Sequence, residues 1–118
     1  MSQTVLVTGA SSGIGQATAR LLTEHGFKVF GTARKPQASQ SSNITMVPLD
    51  VRADDSVRSC VERVGPIDVL VNNAGYSLMG SAEETSLEEA KAQLETNFFG
   101  VVRMVKAVLP GMRATGRL

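Results

Sequence analysis

Cysteine is nearly missing from this 118-residue chain: Cys60 stands alone, so no internal disulfide can form. A single thiol fits a reducing compartment, and the expected location is cytoplasmic. Charge of one sign is missing too. Twelve Lys and Arg against eleven Asp and Glu leave +1, too little to draw nucleic acid or an anionic membrane surface. The apolar stretch from Phe98 to Leu109 is interrupted by Arg103 and Lys106, which excludes a membrane span there. Met1-Ser2-Gln3-Thr4 has no basic region leading into an apolar segment, so no signal peptide is read. Histidine occurs once. His25 has no Cys, Asp or second His spaced to help it, so no metal site is expected; its place at a helix C-terminus suits the negative end of a helix dipole. Tyrosine also occurs once, as Tyr76, and the residue four positions on is Gly80.

What is present is ordinary for a folded domain. Hydrophobic residues make up 42% and charged residues 19%, which argues against disorder. At this length, roughly two-thirds of the unfolded chain's surface can be buried. Thr4 to Thr8 reads as a short buried strand, and Gly13 to Glu24 as a helix with Ile14, Ala17, Leu21 and Leu22 on one face and Gly26 as its stop. Lys28 to Thr32 is a second strand, Lys35 to Asn43 a loop or weak helix, and Thr45 to Leu49 a third strand. Asp54 to Val64 reads as a helix with Val57, Val61 and Val64 buried, ended by Gly65-Pro66, and Asp68 to Val71 as a fourth strand. After a loop from Tyr76 to Ala82 comes a long helix from Leu87 to Leu109. A capping box, Ser86 with Glu89, opens it, and Leu87, Ala90, Leu94, Phe98, Val101, Val105 and Val108 form its apolar stripe. Gly100 inside that helix implies close packing against a neighbour. Strands alternating with helices imply an α/β fold: a Rossmann-type, doubly wound parallel sheet of about four strands in the order 3-2-1-4, with helices on both faces.

The chemistry sits at one edge of that sheet. Val5-Leu6-Val7 runs into Thr8-Gly9-Ala10-Ser11-Ser12-Gly13-Ile14-Gly15, a glycine-spaced turn between a strand and a helix. Gly9 makes the turn out of the strand, and Gly13 and Gly15 remove Cβ atoms where a helix N-terminus faces phosphate oxygens. Ser11 and Ser12 add hydroxyl donors and Ile14 a backbone N–H. The spacing, Gly-x3-Gly-x-Gly, differs from the common dinucleotide fingerprint. Asp50 follows the third strand, Asn72-Asn73-Ala74-Gly75 follows the fourth, and ligands of doubly wound sheets bind beyond the carboxyl ends of the strands. At the end of the second strand, Gly31-Thr32-Ala33-Arg34-Lys35 holds no carboxylate to accept from a ribose 2′-hydroxyl. A guanidinium at Arg34 suits a 2′-phosphate instead.

Together these segments resemble the N-terminal part of a short-chain dehydrogenase/reductase. They lie in the family's order: Thr8 to Gly15, Leu49-Asp50-Val51, Asn72 to Gly75, and Asn97 within Thr96-Asn97-Phe98-Phe99-Gly100. The resemblance implies a cofactor pyrophosphate held by Gly9, Ser11, Ser12, Gly13, Ile14 and Gly15. It implies adenine between the Asp50 carboxylate and the Val51 backbone, and Asn73, Ala74 and Gly75 along the riboses. Asn97 is implied as the catalytic asparagine that holds a water in the proton relay. It implies NADP(H) as preferred cofactor, with NAD(H) the alternative, a small carbonyl or alcohol substrate in a full-length parent, and a homo-oligomer contact through the 87–109 helix. The family's serine and its tyrosine four residues before a lysine have no counterpart here. The expectation is therefore a partial dinucleotide-binding domain over 1–118, its catalytic part lying beyond Leu118, inactive alone. Two alternatives stay open: a non-catalytic dinucleotide-binding module, and an interaction subunit completed by another chain. Remaining features read plainly. Cys60 is a small core residue, Glu83, Glu84, Glu88 and Glu89 suit a helix start, and Tyr76 and Met79 face substrate or form a plain loop.

Overall fold

The computed structural model describes residues 2–36, 43–76 and 80–116. Part of the Lys35 to Asn43 loop, Met79 and Leu118 lie outside them. Four strands, β1 (Thr4–Val7), β2 (Lys28–Ala33), β3 (Ile44–Pro48) and β4 (Val69–Val71), form a parallel sheet in the order β3-β2-β1-β4. The strands are short and β-branched, and alternate residues of β1 face opposite layers. Val5 and Val7 pack with Ala10, Ala19, Val29 and Ile44 beneath α1 (Gly13–Glu24). Leu6 packs the other way, with Val47, Leu49, Val51, Val57, Cys60, Val64, Met104 and Val108. That second layer is built by α2 (Asp54–Val64) and by the long C-terminal helix. Cys60 lies inside it, its thiol pushed up to about 11 by burial, as suits a core residue.

Two helix faces differ from the periodicity reading. In α1, Ile14, Ala17 and Leu21 point outward and the buried residues are Gly15 and Ala19, with Leu22 partly buried. The helix lies so close to the sheet that only small side chains fit beneath it. A Cβ on Gly15 would collide with the Gly9 carbonyl oxygen. The turn after α1 is closed as expected by Gly26, whose N–H donates to Thr23 O while Phe27 N–H donates to Leu22 O.

The long helix is three pieces. α3 (Leu87–Leu94) passes through a π-helical turn (Glu95–Phe99) into α4 (Gly100–Ala114). The capping box of Ser86 and Glu89 is formed in both directions. The apolar stripe is not continuous, because the wider turn rotates the face that follows it. Leu87, Leu94 and Phe98 are exposed, Val101 and Val105 are half-buried, and Gly100, Met104 and Val108 carry the core. The helix also runs past Leu109 and through the exposed Pro110 for one more turn, where Thr115 N–H donates to Gly111 O.

Candidate functional site

Two buried threonines build the carboxyl edge of the sheet. Thr8 Oγ1 accepts from the backbone N–H of Asn73 at 3.0 Å and of Ala74 at 2.9 Å. Thr32 Oγ1 accepts from Gly9 N–H at 3.2 Å. Asn73 Nδ2 donates back to Gly9 O at 3.0 Å. The loops after β1, β2 and β4 are thus fastened to one another by polar groups that the strand ends would otherwise leave unpaired. Gly9 (φ +66°) and Gly13 (φ +56°) take the left-handed conformation that side chains resist. Gly13 faces open space, whereas Gly15 is packed under the turn.

Between these loops lies a cavity of about 750 Å³, a size suited to a small ligand or cofactor. One side is Gly9, Ser11, Ser12 and Ile14, where α1 begins; another is Thr32, Ala33 and Arg34 at the end of β2. Leu49, Asp50, Val51 and Arg52 close the third side, and Asn73 to Tyr76 with Thr96 the fourth. The Asp50 carboxylate is gripped by Arg52, with Nη2 donating at 2.8 Å and Nε at 3.0 Å. That hydrogen bonding holds its carboxyl at about 2, against an ordinary 3.8, with Arg34 adding a weaker attraction. Asp50 is therefore ionised throughout the neutral range, and its N–H donates to Ser56 Oγ.

Asn97 sits in the π-helical turn. Its Oδ1 accepts from Tyr76 N–H at 3.0 Å, its Nδ2 donates to Tyr76 O at 2.6 Å, and Gln93 Nε2 donates to the same carbonyl at 3.0 Å. A Cβ on Gly75 would lie 2.8 Å from Asn97 Oδ1, so only glycine lets the loop after β4 come this close to the helix.

This edge, with its glycine turn, its Asp-Val segment and its Asn-Asn-Ala-Gly loop tied to an asparagine on the long helix, matches the family model for short chain dehydrogenases over residues 3–117. The chain belongs to the short-chain dehydrogenase family. It is 48% identical, over 98% of its length, to a 3-ketodihydrosphingosine reductase of Bacteroides thetaiotaomicron, covering 44% of that protein. It is 39% identical, over 92% of its length, to an NADP-dependent 3-hydroxy acid dehydrogenase of Salmonella typhi, covering 48% of it. Among solved structures, a serine dehydrogenase in its closed form complexed with NADP+ superposes with a TM-score of 0.88 at 34% identity, over 98% of this chain and 51% of that one. The chain thus spans less than half the length of these curated relatives.

In this member of the family, most of the residues singled out in the sequence converge. Gly9, Ser11, Ser12, Ile14, Arg34, Asp50, Val51, Asn73, Ala74 and Gly75 all line the cavity. Gly13, Gly15 and Asn97 do not line it: Gly15 and Asn97 pack behind its walls, and Gly13 faces open space at the start of α1. Thr8, Thr32 and Arg52 were missed as site residues. A threonine near the end of each apolar strand was the signal for the first two; the third had none. Among the described residues no group of His, Cys, Asp and Glu is arranged to hold a metal, and no helix is long and apolar enough to cross a membrane.

Proposed function

We propose that this chain is the dinucleotide-binding half of an NADP(H)-dependent short-chain oxidoreductase that interconverts a carbonyl and an alcohol. The observation that carries the reading is the single cavity onto which the glycine turn, Arg34, the Asp50–Val51 segment and the Asn73–Gly75 loop all open. Its residues fit the cofactor. The start of α1 has no side chain at Gly13 and offers free backbone donors toward an anion. Bound, the cofactor supplies or accepts a hydride at its nicotinamide. The chain's own part is to hold it. The turn from Gly9 to Gly15, with Ser11, Ser12 and the Ile14 N–H, cradles the pyrophosphate. Arg34 grips the 2′-phosphate, Asp50 and Val51 flank the adenine, and Asn73, Ala74 and Gly75 line the path of the riboses. Asn97 serves the nicotinamide end, its amide anchoring the Tyr76 backbone. The NADP-bound serine dehydrogenase and the NADP-dependent Salmonella relative support the cofactor preference. Self-association through the long helix belongs to the same proposal, supported by the exposed Leu94, Phe98, Phe99 and Val102 along it.

The 118-residue chain is proposed to bind without turning over. Tyr76 is its only tyrosine, and Gly80 stands where a lysine partner would be needed. Without a positioned acid for the developing alkoxide, a factor of about 10²–10⁴ is lost. NADPH oxidation over a panel of ketones and aldehydes should stay at background; robust turnover abolished by Asn97→Ala would overturn that. For the cofactor, Arg34→Ala should weaken NADPH on the order of 1.5–3 kcal/mol while leaving NADH nearly unchanged. An equal effect on both would remove Arg34 from the 2′-phosphate.

A further inference from the structure

Arg103, on the first turn of α4, binds three separate segments at once. Nη1 donates to the backbone carbonyl of Val51 at 3.2 Å, Nε to Asp54 Oδ1 at 3.0 Å, and Nη2 to Glu95 Oε1. Val51 belongs to the wall after β3, Asp54 opens α2, and Glu95 opens the π-helical turn that carries Asn97. The Arg103 side chain is 24% exposed, whereas Asp54 is 81% exposed, so the Asp54 arm is screened and weak. The Val51 arm is partly buried and ends on a main-chain acceptor. The same helix presses on Val51 a second time: a Cβ on Gly100 would stand 2.6 Å from Val51 Cγ2. A planar guanidinium spreads its donors over three nitrogens and so reaches a carbonyl and two carboxylates in different directions, whereas an ammonium's donors radiate from one nitrogen.

We propose that Arg103 is a positioning residue that locks the Asp50–Val51 wall to the π-helical turn bearing Asn97, so that the adenine end and the nicotinamide end of the cavity are set as one frame. Arg103 does not line the cavity, so it acts on a ligand only through the two walls it joins. What the frame holds rests on the dinucleotide reading above; the coupling does not.

Two measurements on the full chain test this for the wild type, Arg103→Met, Arg103→Lys and a control, Val64→Ala, which trims the buried far end of α2. The first is amide hydrogen exchange without ligand. The reporters are the N–H groups of Asp50, Arg52 and Ala53 in one wall and of Tyr76, bonded to Asn97, at the other. The second is affinity for NADPH and for 2′,5′-ADP, which carries the adenosine end alone. Arg103→Met should speed exchange at both walls by about tenfold relative to the β1 amides and weaken both ligands by about tenfold. Arg103→Lys should fall between it and wild type. Val64→Ala should speed exchange evenly and leave affinity within about twofold, since global destabilisation has no preferred wall. Arg103 variants that match Val64→Ala, or that loosen one wall only, would overturn the proposal; if Arg103→Met does not fold, Arg103→Lys decides. A wild type that takes up neither ligand would defeat the dinucleotide reading, and the exchange measurement would still decide the coupling.

Discussion

Asp50 is held at about 2 by the fork of Arg52, well below an ordinary 3.8, which fixes how the site answers to acid. A carboxyl depressed in the folded state favours folding while ionised. That contribution is complete above the unfolded value, about 4, and is lost as pH falls from there towards 2. Carboxyl carbon shifts should therefore place Asp50 near the bottom of that window, and Arg52→Met should bring it back up towards 3.8. An Asp50 that titrates at its ordinary value in the wild type would mean that the pair is not formed in solution. The identity of the pocket residues was open to reading in the chain, because Asp50, Asn73 and the glycines stand in short motifs beside predicted strands. Their pairing was not. Nothing in Asp50-Val51-Arg52 says that the arginine turns back on the aspartate rather than out to solvent.

At the scale of elements, strand and helix positions follow the apolar pattern to within a few residues, and the helix ends follow Ser86, Gly26 and Gly65. The facing of α2 follows it too, with Val57 and Val64 buried and Val61 packed against them, but the facing of α1 and of the long helix does not. α1 buries Gly15 and Ala19 because it lies almost against the sheet, and so its larger apolar residues are pushed outward. The long helix changes face at the π-helical turn, a wide turn that no residue type announces. The loops depend on Thr8, one side chain that serves two backbone N–H groups. Thr8→Val keeps the shape and removes the acceptor, leaving the N–H groups of Asn73 and Ala74 without their partner. It should lower stability by about 2–4 kcal/mol in denaturant unfolding. A loss below ~0.5 kcal/mol, the level of an ordinary surface change, would show that the loop after β4 is held some other way.

For the whole molecule, the strand order was legible because alternating strands and helices leave few arrangements of a parallel sheet. The joining of distant segments was not. Arg103 reaches residues 49 and 52 positions away, contacts that only the packing of α4 over α2 brings about. The layered sheet brings the glycine turn, Arg34, Asp50 and Asn73 to one cavity from four different loops, and a phosphorylated dinucleotide is its proposed occupant. The most direct test is calorimetric titration of the 118-residue chain with NADPH and, in parallel, with NADH. One site per chain is expected, with NADPH favoured by at least about tenfold, the equivalent of one charge-assisted phosphate contact. No heat of binding with either cofactor, or a preference for NADH, would contradict it.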